Sequence, residues 1–232
     1  MTIEPRLDIV GFALADPSRS RILCELMDGR AFTNKELAIA ANVTPQTASA
    51  HLKHLAMAGM TVSLRSGRHV YHRIANARVA SVLEGIATLS TIDHIHRNAR
   101  SSHETKLARS CYNHIAGKLG VLITERLSAL NVLRIENDVV LPGSSYQAFL
   151  KDTAIDVQPT GAAQPLAKLC LDWTERRHHM SGPLAIAIMQ KALDMRWLER
   201  RTGSRALTVT ADGFDAFVRW FGLSSHDVEG RG

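Results

Sequence analysis

Two helix-start signals separated by a short turn constrain this chain more than any other feature. Thr33 is followed three residues later by Glu36, a spacing at which the threonine hydroxyl accepts from a helix amide and the glutamate returns to the cap amide. Thr44-Pro45 is a second start, because threonine caps a helix and proline needs no N–H at its first position. Gly59 ends the second helix. Two capped helices joined by so short a turn predict a helix-turn-helix.

The flanking segments add a helix before this pair and a hairpin after it. Asp16-Pro17 is again a cap followed by proline, so a helix is predicted to begin there. Apolar and polar residues alternate over 62–64 and again over 70–74, and Ser66-Gly67 supplies a turn between them. This pattern predicts a two-stranded hairpin, or wing, directly after the helix-turn-helix.

The charge is uneven along the chain. The formal net charge is +6, from 28 Lys plus Arg against 22 Asp plus Glu. No acidic residue lies between Glu36 and Glu84, whereas five Lys or Arg residues do. Because this acid-free window contains the predicted helix-turn-helix and wing, it indicates a surface that binds a polyanion.

The first part of the chain resembles a known family. LADPSRSRILCEL, FTNKELAIAANVTPQTASAHLKHLAMAGM and SLRSGRHVYHRI together resemble the winged helix-turn-helix of ArsR/SmtB-type bacterial transcriptional repressors, over about residues 5–95. The resemblance implies a DNA-binding domain whose third helix reads the major groove. One such helix reads only a few base pairs, so specific binding needs a homodimer on a pseudo-palindromic double-stranded operator. The resemblance places the dimer contact on the first helix, around Leu7 to Leu14, and on the helix after the wing, around Val79, Leu83, Ile86 and Leu89.

Candidate DNA-contacting residues lie on the third helix and at the tip of the wing. The outward face of the helix carries short polar groups that fit a major groove, and the wing tip carries cationic groups suited to phosphate. We expect the DNA-binding residues to be Thr44, Gln46, Thr47, Ser49, Ala50, His51 and Lys53 on the helix, and Arg65, Arg68 and His69 on the wing.

Members of this family often sense metals, and the positions of their ligands can be inspected here. The site before the reading helix and the site after the wing would fall on Thr33, Lys35, Asn76, Arg78, Leu89 and Ile92. None of these is a usual zinc ligand. A later group consists of Asp93, His94, His96 and His103, and we interpret it as a solvated helix end because Asp93 and His96 point apart on a helix. We therefore assign no metal site and no cofactor.

The second part of the chain is interpreted as two related units. CYNHIAGKLG, beginning at Cys111, is echoed by CLDW, beginning at Cys170, and after an insertion by MSGPLA. Each unit is expected to contain a short helix, a longer helix and an extended pair. The predicted fold is mainly α with small β-hairpins: an N-terminal winged helix-turn-helix over 1–97, followed by a C-terminal α+β domain with winged-helix-like units at 107–158 and 166–232.

The signal that such a regulator receives is expected in this second part. Cys111 and Cys170 are interpreted as small buried hydrophobes, as a thiol pair that oxidises, or as metal ligands together with His114 and either His178 or His179. The segment that follows Cys170 either binds an organic anion through its arginines or forms an interdomain salt-bridge cluster of Asp172 and Glu175 with Arg176 and Arg177. The candidate effector-binding residues are Cys111, His114, Cys170, Asp172, Trp173, Glu175, Arg176, Arg177 and His179. Whether the effector is a small molecule, a metal or an oxidant stays open.

The favoured function is a DNA-binding transcriptional regulator, a repressor released by that signal, and not an enzyme. Alternatives are an enzyme with Cys111 or Cys170 as nucleophile and His114 or His179 as base, or an interaction module, either one tethered to the winged helix. The sequence contains no glycine-rich phosphate loop, nucleophile elbow or metalloprotease helix. Three cysteines are too few for a secreted disulfide framework, and no apolar run is long enough to span a membrane, so we expect a cytoplasmic protein with no membrane partner.

Overall fold

The structure is a computed structural model that describes residues 4–90, 103–136, 139–157, 166–201, 204–224 and 227. The chain divides into two compact units, residues 1–83 and 84–232. The predicted boundaries of 1–97, 107–158 and 166–232 stay predictions. The interpretation of Ile92, Asp93, His94 and His96 falls outside the described residues.

The first unit is a winged helix-turn-helix. Its elements are α1 (Leu7–Ala15), α2 (Pro17–Leu26), β1 (Phe32–Thr33), α3 (Asn34–Ala41), α4 (Pro45–Met57), β2 (Thr61–Ser66), β3 (His69–Ile74) and α5 (Ala77–Ala87), whose last turn belongs to the second unit. The sheet has the order β1-β3-β2, so the predicted wing gains a third strand that the sequence pattern did not indicate.

The helix starts lie where the sequence predicts them. Asp16 accepts hydrogen bonds from the amides of Ser18 and Arg19 ahead of α2. Thr33 and Glu36 form the predicted capping box ahead of α3. The Thr44 hydroxyl accepts from the amide of Thr47 at the start of α4, whose first residue is a proline. These local signals are confirmed because each is satisfied within one helical turn.

The second unit contains the same succession of elements twice. After α6 (His103–Leu107), the first repeat consists of β4 (Arg109–Cys111), β5 (His114–Ala116), α7 (Lys118–Ala129), β6 (Leu133–Glu136), β7 (Val139–Pro142) and α8 (Tyr146–Thr153). The second repeat consists of β8 (Ala167–Leu171), β9 (His178–Ser181), α9 (Pro183–Asp194), β10 (Leu198–Arg200), β11 (Leu207–Val209) and α10 (Ala211–Phe221). Both repeats therefore have the order ββαββα.

The segments at Cys111 and Cys170 are hairpins, and our prediction of short helices there is wrong. Cys111 pairs with His114 across β4 and β5, around a two-residue turn in which Tyr112 adopts a left-handed φ of +59°. The apolar spacing of Leu107, Cys111 and Ile115 imitates a helical stripe, but short apolar runs do not distinguish helix from strand. Pairing with distant strands decides the conformation here.

The two repeats exchange their hairpins. β8 of the second repeat pairs with β7 of the first, with Val139 opposite Lys168, so that β6-β7-β8-β9 form one sheet. In the reciprocal contact, Arg109 of β4 bridges to Ala206 beside β11, and the amide of Leu207 donates to the carbonyl of Ala108. Buried side chains of both repeats, including Leu119, Ile123, Leu184, Ile188 and Phe217, form one hydrophobic core. The two repeats of the second unit thus pack against each other as two subunits of a dimer would, although they belong to one chain.

Candidate DNA-binding surface and buried thiol–imidazole cluster

Helix α4 separates its side chains into a buried and an exposed face. Ala48, Leu52 and Leu55 are buried in the core of the first unit. The residues predicted to face DNA that are exposed on the opposite side are Gln46, Thr47, Ser49, Ala50 and Lys53. The orientation of the helix therefore agrees with the prediction, and the DNA contacts themselves stay a prediction.

Thr44 and His51 have structural partners that the sequence did not reveal. The hydroxyl of Thr44 caps α4 and lies 2.9 Å from that of Thr47. The side chain of His51 is only 14% exposed, and its Nε2 lies 3.8 Å from Oδ1 of Asp16. His51 thus packs against the start of α2, which makes it a weaker candidate for reading DNA than its exposed neighbours.

The wing presents its cationic tip to solvent. Ser66 pairs with His69, which leaves Gly67 and Arg68 as a two-residue turn, and Gly67 adopts a φ of +58° that favours glycine. Arg65, Arg68 and His69 are all exposed, as a phosphate-binding tip requires. Arg68 Nε donates to His69 Nε2 over 3.3 Å.

Within the described part of the chain, the ion pairs leave Lys53, Arg65 and Arg68 without an acidic partner. Cations that are not neutralised by neighbouring carboxylates generate a positive potential that attracts a polyanion. The residues of the acid-free window therefore form a positively charged surface on α4 and the wing.

A second constellation lies inside the second unit, where the two repeats meet. Each hairpin contributes one cysteine and one histidine as direct cross-strand partners, Cys111 with His114 and Cys170 with His179. One potential ligand atom from each of these four residues, a sulfur or an imidazole nitrogen, lies within 4.8 Å of the other three. Nε2 of His114 is 3.1 Å from Nε2 of His179. The sequence spacing could not show whether these four side chains meet. They meet because the two repeats exchange their hairpins.

Glu84, in the last turn of α5, completes the cluster. Cys111 Sγ donates to its Oε1 over 2.7 Å and Cys170 Sγ donates to its Oε2 over 3.1 Å. Burial raises the pKa of Glu84, and the two thiol hydrogen bonds partly oppose this shift. Cys111 is buried, as the interpretation of the cysteines as small buried hydrophobes expects, and Cys170 is half-buried, but both thiols also donate hydrogen bonds to a carboxylate. Sequence reasoning missed Glu84, although it is the acidic residue that ends the acid-free window.

Burial also changes the titration of the other members of the cluster. It holds the pKa of His114 well below its usual range and lowers that of His179 to about 4, so both imidazoles are neutral at neutral pH. The pKa of the Cys170 thiol is raised, first by its hydrogen bond with Cys111 and then by burial.

Asp172 supports the cluster from the loop between β8 and β9. Its Oδ2 accepts from Arg109 Nη2 and from the amide of Gly117, both over 2.8 Å, and the side chains of Arg109 and Asp172 are fully buried. Burial raises the pKa of Asp172, but the Arg109 charge and the hydrogen bond from Thr174 outweigh it, so the net pKa is lowered. Arg109 also lies over the ring of Trp173, 4.4 Å from its centroid.

The structure contradicts our interpretation of the arginines in this loop as a salt-bridge cluster. Arg176 donates to the carbonyls of Thr88 and Ser90, and Arg177 pairs with Glu125 at the surface. The predicted salt-bridge cluster is wrong, because the partner of Asp172 is Arg109. The interpretation of this segment as an organic-anion site stays a prediction. The backbone amide of Glu175 donates to Oδ1 of Asp172. His178 is exposed, so the histidine of the cluster is His179.

A cleft of about 490 Å³ lies elsewhere in the second unit. It is lined by Glu104, Asp215, Leu207 and Phe214 among others, and the described lining includes none of the predicted effector residues. Its two carboxylates do not suit an anion.

The buried apolar face of α4, its exposed polar face and the three-stranded wing define a winged helix-turn-helix DNA-binding transcriptional regulator. The family model of the bacterial regulatory proteins of the arsR family matches residues 16–60. An uncharacterized HTH-type transcriptional regulator of Bacillus subtilis (strain 168), YdfF, is 35% identical over 223 residues, which cover 94% of this chain and 97% of that protein. The chain belongs to the arsR family.

Other relatives match a smaller share of the chain. The transcriptional regulator CmtR of Mycobacterium tuberculosis (strain ATCC 25618 / H37Rv) is 38% identical over 80 residues, or 34% of this chain and 67% of that protein. The solution structure of the homodimeric winged helix-turn-helix domain of Mb0332 from Mycobacterium bovis is 30% identical, covers 41% of this chain and 93% of that one, and has a TM-score of 0.34. The structure of the cadmium sensor CmtR from Mycobacterium tuberculosis is 31% identical, covers 37% and 85%, and has a TM-score of 0.31.

Among the residues that the structure describes, no helix is both long enough and apolar enough to cross a membrane.

Proposed function

We propose that the chain is a homodimeric repressor that binds a pseudo-palindromic operator in the cytoplasm and is released by a signal received in residues 84–232. The observation that carries the DNA step is the exposed, acid-free surface on α4 and the wing. Gln46, Thr47, Ser49 and Ala50 would contact base edges, whereas Lys53 and the wing residues would contact phosphates.

Exposed apolar side chains support the dimer. α1 exposes Ile9 and Phe12, three residues apart, and α5 exposes Val82 and Ile86, four residues apart. Large hydrophobic side chains on neighbouring positions of a helix mark a surface that is buried by a partner. A second copy would bury them and set two reading helices about one DNA turn apart, roughly 34–36 Å, or a multiple of it.

Salt-dependent DNA binding tests the proposal. Footprinting on genomic fragments would identify the operator, and fluorescence anisotropy would give its affinity as a function of salt. Each phosphate contact contributes about 0.9 to the slope of log affinity against log salt. We expect Lys53→Ala combined with Arg68→Ala to flatten this slope by about one to two units.

A matched control removes two exposed cations from the second unit. Lys151→Ala combined with Arg219→Ala changes the net charge equally and should leave the slope as in the wild type, since both residues are exposed outside the proposed surface. If the salt slope of the Lys53 and Arg68 variant is unchanged, these two residues do not contact DNA. If the control flattens the slope by the same amount, the effect comes from net charge and not from the proposed surface.

The relatives with described roles are transcriptional regulators. The chemistry of the cysteines also disfavours the alternative that the second unit is an enzyme tethered to the winged helix. A nucleophilic cysteine needs a lowered pKa. Here the pKa of Cys170 is raised, and the Cys111 thiol donates to Glu84 in a buried position. We therefore assign no catalytic residue.

A further inference from the structure

We propose that Cys111, His114, Cys170 and His179 form a tetrahedral site for a zinc-class divalent cation. This inference goes beyond the proposed function, because it assigns a ligand class to a site in the second unit and its test involves no DNA. From the sequence we assigned no metal site, but metal ligation by these cysteines and histidines was one of the alternatives left open.

The donor set and its spacing fit this class of metal. Two thiolates and two imidazoles are a common structural zinc set, and with Zn–N bonds of about 2.0–2.1 Å a tetrahedron separates two nitrogens by roughly 3.4 Å. The Nε2 atoms of His114 and His179 are 3.1 Å apart, and all four donor atoms lie within 4.8 Å of one another. Small side-chain rotations would therefore suffice to surround one cation.

The arrangement of the donors is specified by the fold. Cys111 and His114 are held as cross-strand partners by the β4–β5 hairpin, and Cys170 and His179 by the β8–β9 hairpin in the same register. Strand pairing fixes backbone positions, so the four donors are brought together before any cation binds. Such preorganisation lowers the ordering cost of binding.

The surroundings of the histidines resemble the outer shell of a metal site. Nδ1 of His114 and Nδ1 of His179 are buried and make no hydrogen bond within the described structure. Oδ2 of Asp172 lies 3.6 Å from Nδ1 of His179, slightly beyond hydrogen-bonding distance. Metal-binding histidines usually donate their second N–H to such a carboxylate, which orients the ring and raises its basicity.

Binding is a ligand exchange without redox chemistry. The cation releases its water ligands and the two thiols release their protons to solvent, while two metal–sulfur and two metal–nitrogen bonds form. The charge of the cation is balanced by the two thiolates. A metal-bound thiolate has no proton to donate, so Glu84 loses both of the hydrogen bonds that it accepts from Cys111 and Cys170. The cation would also cross-link the two repeats, because each repeat contributes two ligands.

The test is a cobalt titration of the full chain, stripped with a chelator and kept reduced. Co²⁺ bound by two thiolates in a tetrahedron gives intense sulfur-to-metal charge-transfer absorption and strong visible d–d bands. We expect saturation at one Co²⁺ per chain, displacement by Zn²⁺, and a higher melting temperature of the second unit with Zn²⁺. Cys111→Ser and Cys170→Ser should each lose most of the charge-transfer absorption, and His179→Gln should weaken binding at least tenfold.

Two controls come from the same chain. Cys24→Ser removes the remaining cysteine, which is exposed and free, and His178→Gln removes the exposed neighbour of His179. Both should bind Co²⁺ as the wild type does. Zinc K-edge absorption of the wild type needs no variant, and it should show two sulfur and two nitrogen ligands, at about 2.3 Å and about 2.0–2.1 Å.

Three results would overturn the proposal. The first is the absence of charge-transfer absorption in the reduced wild type, and the second is its persistence in a Cys111→Ser, Cys170→Ser double variant. The third is a zinc shell without sulfur. Rapid formation of a Cys111–Cys170 disulfide in air, with no metal bound by the reduced chain, would assign the thiols to redox chemistry instead.

Discussion

The β4–β5 and β8–β9 hairpins have the same register and very different turns. Cys111 faces His114 across two residues, whereas Cys170 faces His179 across eight, because the second hairpin contains an inserted loop. Asp172 in that loop reaches back to Arg109 and the amide of Gly117 in the first repeat. The two repeats therefore place their sulfur and imidazole donors at equivalent positions, and the inserted loop of the second repeat adds a buried link between the repeats.

Removing the inserted carboxylate should have the largest effect. Asp172→Ala leaves the Arg109 guanidinium buried without its partner and removes an acceptor from the amides of Gly117, Thr174 and Glu175. Breaking a buried ion pair from one side costs about 3–5 kcal/mol. The free energy of unfolding can be measured by urea titration with tryptophan fluorescence, since all three tryptophans lie in the second unit.

The control for Asp172→Ala is an exposed ion pair in the same unit. Glu125→Ala breaks the contact with Arg177, whose side chain is 51% exposed, and exposed pairs contribute only about 0.2–1 kcal/mol. Similar losses in the two variants would show that the inserted loop does not link the repeats as described.

Equivalent glycines give a second comparison between the repeats. Gly117 and Gly182 precede α7 and α9, with φ values of +81° and +92° that strain any other residue. A Cβ at Gly117 would lie 2.6 Å from the carbonyl oxygen of Lys106, whereas one at Gly182 would meet nothing closer than 3.3 Å. Gly117→Ala should therefore cost roughly 1–3 kcal/mol more than Gly182→Ala, the typical range for overpacking.

The same urea titration measures this difference, and each alanine variant serves as the control for the other. If both variants lose the same free energy of unfolding, the loss comes from backbone strain at the positive φ. The close contact between the new Cβ at position 117 and α6 would then add nothing.

The smallest effect is expected at the last helix of each repeat. Thr210 caps α10 by accepting from the amide of Gly213 over 2.9 Å, whereas Ser145, the equivalent residue before α8, makes no side-chain cap. Loss of a cap costs about 0.5–2 kcal/mol. We expect Thr210→Ala to lower the free energy of unfolding by this amount and Ser145→Ala to change it little, and a larger loss at Ser145 would contradict the assignment of the caps.

The sequence predicts those parts of the molecule whose signals are local. Asp16, Thr33 and Thr44 each satisfy amides within one turn of their own helix, so the starts of α2, α3 and α4 can be read without knowing the fold. The turn at Gly67 and the acid-free window are local in the same sense. The family follows from these features together, because winged helix-turn-helix domains are assembled from short elements in a constant order.

The buried cluster depends on contacts that no local signal encodes. His114 and His179 are 65 residues apart and meet through the exchange of hairpins. Glu84 reaches Cys170 across 86 residues, and Arg109 reaches Asp172 across 63. Cys111 and Ile115 have a spacing that suits a helix, and cross-strand pairing overrides it.

The helix starts, the wing, the positive surface and the family can be predicted from the amino-acid sequence, because each depends on residues that interact within a few positions of one another. The buried cluster of two cysteines, two histidines and a glutamate becomes visible only in the folded chain. Polar side chains need hydrogen-bonding partners when they are buried. Here these partners lie on strands and a helix that come together only when both repeats are folded.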